Sequence, residues 1–364
     1  MCRQQPWRLP RQQVLQPIRL HPQRQRPLLP HQLLHQRKNP EFFQLATSQQ
    51  VPRRKARDFL PLGYAYALCL MPFIENTVST AKPYLTQANA ALTQATPVIN
   101  EFGQAQTVQI PAERALTVYL DKRELVTLMT LGASPELLVL GFLRNQRLIA
   151  SVEEIESITV DWSIGEGELG QPGVAAVKTR AGLMETPKAP RVVTTGCGQG
   201  SVFGDLMSDI DGIHLPPAQI TQAQLYGLVN AIRIQETTYK SAGSVHACAL
   251  FCGIEMRMFV EDVGRHNAVD TIAGWMGMND VSGHDKVFYT TGRLTSEMVI
   301  KSAQMGVPIA VSRSGITQMG LAVAQRVGLC TIGRATHKRF LCFSAPERLV
   351  WQSGLVQAPD AVNP

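Results

Sequence analysis

Apolar positions settle into a regular rhythm only beyond about residue 107, and the predicted elements start there. Residues 116–120, Leu-Thr-Val-Tyr-Leu, predict a strand, and Asp121-Lys122 suits a turn into the apolar stretch 125–129. Ser134-Pro135-Glu136 marks a helix start, with a hydroxyl for the cap, proline at the first helical position and then an acid. Leu137, Leu138, Leu140, Phe142, Leu143 and Leu148 give that helix a largely buried face. Residues 155–162 predict another strand, and 165–190 read as strands joined by glycine- and proline-punctuated loops.

The second half is more sharply patterned. Pro217 opens a predicted helix running to about residue 239, with Ile220, Leu225, Leu228, Val229 and Ile232 on one side. A strand at 286–290, a helix at 296–305, a strand at 308–312, a helix at 317–327 and a strand at 329–332 follow. Strand and helix alternating through short connections argue for a parallel sheet with crossover helices. In such sheets ligands bind at the carboxyl ends of the strands. Those ends carry Thr290-Thr291-Gly292-Arg293 and Ser312-Arg313-Ser314-Gly315. Each offers glycine, hydroxyls, a guanidinium and the amide end of a helix, which suits phosphate. The fold class is therefore α/β, with a smaller N-terminal α+β unit over 107–190 and a sheet domain over 191–350. The segments 1–106 and 351–364 flank them as tails.

Charge narrows the function. The chain carries a net +7 over 364 residues, but residues 1–58 hold 12 Lys and Arg against Glu41 and Asp58. The remainder has 23 basic and 26 acidic residues, a charge of −3. The basicity belongs to a Gln-, Arg- and Pro-rich segment that cannot bury enough surface to offset its ordering entropy, and it reads as disordered. The body has no electrostatic footprint for nucleic acid. Residues 76–106, rich in Ala, Thr and Gln, read as a linker or weak helix. The apolar stretch 59–74 is interrupted by Pro61, Gly63 and Pro72 and is too short to span a bilayer. Seven cysteines, Cys2, Cys69, Cys197, Cys248, Cys252, Cys330 and Cys342, form no dense framework and fit reduced thiols in the cytoplasm.

Three segments carry candidate chemistry. In Thr194-Thr195-Gly196-Cys197-Gly198-Gln199-Gly200-Ser201 one thiol sits among three glycines. Such a backbone can expose the sulfur, and its hydroxyls and amides can stabilise a thiolate; the alternative is a turn holding an incidental small residue. His246, Cys248 and Cys252 are metal-ligand types without a second ligand pair at usual spacing, so no metal is expected. The run Glu261-Asp262-Val263-Gly264-Arg265-His266-Asn267-Ala268-Val269-Asp270 crowds acid–base groups into a loop before a helix starting near Ala268. It reads as a ligand or transfer site, or else as a buried salt-bridge network.

Together with Val245-His246-Ala247, Thr291-Gly292-Arg293 and Ser312-Arg313-Ser314, that run resembles the formate dehydrogenase accessory sulfurtransferase family, FdhD, over roughly residues 107–349. The resemblance implies a cytoplasmic, homodimeric protein whose larger domain is similar to the cytidine deaminase fold. It would take sulfur from a cysteine desulfurase and pass it to the molybdenum bis(molybdopterin guanine dinucleotide) cofactor before insertion into formate dehydrogenase. Deaminase zinc chemistry is not implied, because His246 is followed by Ala247-Cys248 rather than the His-x-Glu signature. Cys197 matches the first cysteine of the family's Cys-x-x-Cys loop, and Gly200 stands where the second would be. Cys197 would then carry a persulfide and hand its sulfur on directly, without internal resolution. Arg293, Ser312 and Arg313 would clamp phosphates, as would the stretch Arg334, Ala335, Thr336, His337, Lys338 and Arg339, which replaces the family's Gly-Phe-Ala-Arg-Gly. Asp262, Arg265 and His266 would shape the transfer site. A cofactor chaperone without chemistry and a metal-dependent hydrolase using His246, Cys248 and Cys252 are the rivals.

Overall fold

A computed structural model describes residues 81–163, 172–182, 191–193, 210–235 and 237–355. Expectations placed on residues 1–80, 164–171, 183–190 and 356–364, and on the Cys197 loop, lie outside the described residues. In place of the expected linker or weak helix, residues 81–111 hold strands β1 (Tyr84–Leu85), β2 (Thr93–Ile99) and β3 (Ala105–Pro111). β2 and β3 pair only with each other, from Thr93 opposite Pro111 to Ile99 opposite Ala105. Their β-favouring Thr, Val and Ile are diluted by Ala and Gln, so the pattern shows only once the arms are opposed.

β4 (Arg114–Leu120) and β5 (Arg123–Thr130) form the expected hairpin. Its turn residues Asp121 and Lys122 have φ of 45° and 69°, the sense of a tight hairpin turn that matches strand twist. Helix α1 (Pro135–Asn145) starts where proline dictates, with Ser134 at the cap position, yet the Ser134 hydroxyl makes no capping bond. Glu136 instead accepts from Thr86 Oγ1 at 2.6 Å and from the Ala88 amide at 2.7 Å, fastening the β1 segment to the helix. β6 (Ile155–Asp161), β7 (Gly173–Thr179) and β8 (Arg191–Val193) complete a six-stranded sheet of order β1-β6-β7-β4-β5-β8. Its apolar face, with Leu116, Val118, Val126, Ile158 and Val177, packs against Leu138, Val139 and Leu143 of α1.

The helix expected over 217–239 is shorter and broken. Residues 220–221 form β9 (Ile220–Thr221), which pairs with a strand near the chain's end. Helix α2 (Gln222–Ile234) then begins on a reciprocal cap, the Thr221 hydroxyl accepting from Gln224 N–H and the Gln224 side chain accepting from Thr221 N–H. After it, Thr237 caps the separate five-residue helix α3 (Thr238–Ala242).

β10 (His246–Cys252) and β11 (Glu255–Asp262) make a hairpin that leads into α4 (Arg265–Met278). That helix starts three residues ahead of the expected Ala268, so Arg265 and His266 stand on its first turn. β12 (Lys286–Thr290), α5 (Ser296–Gln304), β13 (Ile309–Ser312), α6 (Gln318–Val327) and β14 (Cys330–Thr336) follow the predicted alternation. β15 (Arg339–Ser344) returns beside β14, and β16 (Leu349–Val350) pairs with β9. The sheet order is β11-β10-β12-β13-β14-β15. β12, β13 and β14 are parallel as expected, but the flanking hairpins make the sheet mixed.

Alternation along these strands sorts two cores. Cys248, Leu250, Phe288 and Ala310 face α4, α5 and α6, whereas Ala249, Phe251, Tyr289, Val311 and Ile332 face α2. The two sheets meet where α1 crosses α4. A Cβ on Gly141 would stand 1.7 Å from the Asp270 carbonyl oxygen, and one on Gly274 2.0 Å from that of Leu137. Backbone therefore touches backbone there, an approach that only glycine permits.

Candidate functional site

On the α2 face of the second sheet, at the carboxyl ends of β12 and β13, lies a hollow of about 350 Å³. Val229, Tyr289 and the buried Ala335 make its apolar side, and Arg233, Lys240 and Arg313 supply cations. It runs on past Val229, Arg233, Thr336 and His337 into a second hollow of about 770 Å³, where Tyr226, Asn230, Lys338 and Arg339 join the lining. The Arg313 guanidinium stands 5.4 Å over the Tyr239 ring, a cation–π contact between the strand end and α3. Glu261 is the one acid on the first hollow, and its carboxylate is engaged. It accepts from the Thr238 amide at 2.6 Å and the Tyr239 amide at 3.2 Å, holding the start of α3. An apolar floor with a cationic rim, of this volume, suits a ligand that is part ring and part anion.

The structure brings Arg313, Ala335, Thr336 and His337 to the first hollow and Thr336, His337, Lys338 and Arg339 to the second. Ser312 does not face either. It is fully buried, its hydroxyl donating to the Gly292 carbonyl at 2.7 Å and accepting from the Ser314 amide at 2.9 Å. That bond ties the two strand-end loops together, so Ser312 acts on loop shape rather than on a ligand. Arg293 and Arg334 are exposed but line neither hollow; Arg334, at φ 53°, gives its backbone N–H to Ser314. Arg233, Tyr239 and Lys240 were invisible to the strand-end logic, because they come from the other side of the groove. Their one sequence signal is a cation pair flanking the break between α2 and α3.

The run 261–270 divides by role. Asp262 Oδ2 accepts from Thr130 Oγ1 at 2.5 Å and the Leu131 amide at 3.2 Å, and Oδ1 from the Gly264 amide and Asn267 Nδ2. Asn267 also donates to the Met129 carbonyl at 2.6 Å. These bonds pin the end of β5 to the β11–α4 corner, so Asp262 is a clamp between the two sheets and not an exposed acid. Burial pushes its carboxyl above the ordinary range, against the four hydrogen bonds. Asp270 accepts from Asn145 at 2.6 Å and from the buried Lys301 ammonium at 2.9 Å, and Lys301 reaches Glu297 at 3.4 Å. Burial opposes the charge on Lys301, but Asp270 and Glu297 outweigh it and raise the lysine above its usual value.

His266 stands 3.5 Å from Glu297, yet its proton affinity falls to about 2. Burial does most of this, followed by Lys301, Arg265 and His246, and Lys301 already claims the Glu297 charge. The imidazole is neutral. His246 is lowered too, by burial and then by Arg265, Arg293 and Arg313.

Three of the four described cysteines, Cys248, Cys252 and Cys330, are poorly placed for nucleophilic work. Cys248 is fully buried, donates to Thr290 Oγ1 at 3.4 Å, and is pushed up to about 12 by burial. Cys252, at the other end of β10, donates to Asp285, which raises it. Cys330 is buried and raised, first by its hydrogen bond with Cys342 and then by burial, and the same bond lowers Cys342. Among the described residues no three His, Cys, Asp or Glu side chains are grouped to hold a metal ion.

Fold and site together define a class, a two-sheet α/β protein with a cation-rimmed ligand groove at its strand ends. The model of the FdhD/NarQ family matches residues 111–350. A sulfur carrier protein FdhD from Bacillus licheniformis is 30% identical over 250 residues, covering 67% of this chain and 91% of the relative. Another, from Halalkalibacterium halodurans, is 29% identical over 254 residues, covering 68% and 91%. The crystal structure of a protein assigned as a formate dehydrogenase accessory protein from Desulfotalea psychrophila matches with a TM-score of 0.56 and 28% identity, over 71% of this chain and 98% of that one. The chain belongs to the FdhD/NarQ family.

Proposed function

We propose that this protein is a sulfur carrier in formate dehydrogenase maturation, a sulfurtransferase whose Cys197 holds the sulfur as a persulfide. The Cys197 thiolate would attack the terminal sulfur of a cysteine desulfurase persulfide, forming a new S–S bond as the donor's cysteine thiolate leaves. The outer sulfur would then pass to the molybdenum bis(molybdopterin guanine dinucleotide) cofactor, the substrate held in the groove: the persulfide S–S bond breaks, Cys197 leaves as a thiolate, and the two electrons that turn the sulfane sulfur into sulfide come from the reduced metal of that substrate or from an external thiol. The observation that carries this reading is the groove. Its apolar side suits a guanine, while Arg233, Arg313, Lys338 and Arg339 suit a pyrophosphate. The relatives' names as sulfur carriers support the chemistry, and so does the poor placement of Cys248, Cys252 and Cys330 for thiolate chemistry. Cys197 follows β8 by four residues, a reach of at most roughly 14 Å from Val193, whose strand lies beside the β5 that meets Asp262.

A cytidine deaminase-like architecture for the second sheet belongs to the same reading, supported by the α4, α5 and α6 helices on one face of a mixed sheet. So do a homodimer and a cytoplasmic location; among the described residues no helix is long and apolar enough to cross a membrane. The second reading, a cofactor chaperone without transfer, is favoured only by the glycine at position 200 where a second cysteine would stand.

Intact-protein mass spectrometry after incubation with a cysteine desulfurase and cysteine tests the proposal. The expected outcome is a reductant-sensitive gain of one sulfur in wild type and none in Cys197→Ala. No gain in wild type, with the desulfurase active on another acceptor, would leave the chaperone.

A further inference from the structure

Across the sheet from the groove, the guanidiniums of Arg265 and Arg293 converge on the His246 imidazole, and Glu297 acts on Arg265 only from beyond ion-pair distance. Alternation along β10 sends Ala247 to the groove and His246 to the side of α4. The register continues past β12, because the Thr291 amide donates to the Ala247 carbonyl at 2.9 Å, which sets Gly292 opposite His246. Arg265 lies over that spot. A Cβ on Gly292 would stand 2.9 Å from Arg265 Cδ, so the glycine makes room for the guanidinium's stem. Arg293 follows directly on the same loop.

Arg265 is only 8% exposed, yet its Nε is buried without a partner. Among the described residues, neither Arg265 nor Arg293 lies within ion-pair distance of a carboxylate. The nearby acids are engaged elsewhere, Asp262 by Thr130 and Asn267, Glu261 by α3, and Glu297, whose charge also reaches Arg265, by Lys301. Two helices begin here without a side-chain cap, α4 after Gly264 and α5 after Thr295, whose buried hydroxyl is also unpartnered. A buried guanidinium nitrogen without a hydrogen-bond partner is costly, and uncapped amides add positive potential beside it. Such an arrangement is stable work for a site that is completed by an anion.

We propose that Arg265, Arg293 and His246 form a receptor for a compact anion, distinct from the groove on the opposite face of the sheet. The guanidinium forks and helix amides fit either a terminal sulfur anion or a phosphate oxyanion. Which of the two it takes rests on the sulfur-carrier reading; the receptor itself stands on the geometry.

Thermal unfolding of the full-length protein tests it, with thiosulfate or inorganic phosphate as probe and chloride at matched ionic strength as control. Both probes should raise the melting temperature of wild type beyond the chloride control. Arg265→Met should abolish that rise and melt at or above wild type without anion, since it removes an unpaired buried charge. Exposed Arg293→Gln, which carries little folding risk, should weaken the apparent affinity at least roughly tenfold. Lys178→Gln, exposed on β7 of the first sheet and outside both the groove and the receptor, should change nothing. An anion effect that persists with the groove saturated by guanosine diphosphate supports a separate receptor, and one that guanosine diphosphate erases overturns the separation; the probe with the higher apparent affinity, thiosulfate or phosphate, assigns the anion to sulfur or to phosphate. An anion effect that survives in Arg265→Met, or disappears in Lys178→Gln, overturns the receptor. Sulfur gain on Cys197 without any anion effect overturns the receptor and leaves the carrier standing; the reverse pair of results does the opposite.

Discussion

Within one ten-residue run, 261–270, the polar side chains live under opposite rules. Glu261, Asp262, Asn267 and Asp270 are saturated with partners from α3, β5, α1 and α5. Arg265 and His266, just as buried, keep nitrogens without a hydrogen-bond partner among the described residues. A satisfied buried network fixes architecture, and an unsatisfied one signals work left for a ligand. The difference teaches that a polar motif is no unit of function: half of this one holds two sheets together, and the other half keeps buried nitrogens without such ties.

The largest effect expected from breaking that contrast is Asp270→Ala. It strands the Lys301 ammonium beside a single remaining partner, Glu297, and should cost about 3–5 kcal/mol of folding stability in urea titration. A loss below about 1 kcal/mol would show that the pair is not part of the clamp. Gly274→Ala probes the same junction through its backbone contact with Leu137 and should cost about 1–3 kcal/mol, or more if the helices cannot separate. The variant should lose stability without losing groove binding, measured as guanosine diphosphate affinity at a temperature where it is folded.

The smallest effect sharpens the other half. His266 binds its proton at about 2 in the folded protein and near 6.5 when unfolded, so the unfolded chain takes up a proton that the native one refuses. Stability therefore falls as pH drops below about 6.5, by at most about 1.4 kcal/mol per pH unit from this side chain. His266→Asn should flatten the stability–pH curve between pH 6.5 and 4.5. An unchanged slope would mean that His266 does ionise in the native state, with Glu297 as its partner.

What the sequence determined by itself was local. Proline at 135 set the start of α1, and the spacing of apolar residues from 286 to 332 set the alternation of strands and helices. The strand ends could be located as the ligand edge and Arg313 named there, because those features depend on neighbours a few residues away, while Thr336, His337, Lys338 and Arg339 were named through the family resemblance. The tertiary structure decided the rest. It alone made strands of residues 84–111, turned Ser312 inward, and brought Arg233, Tyr239 and Lys240 across from α2 and α3. It alone divided 261–270, since Asp262 meets Thr130 and Asp270 meets Asn145 over separations of 132 and 125 residues. Whether a buried charge is a strut or a binding group depends on what lies beside it in space, and chain periodicity carries no record of partners so distant.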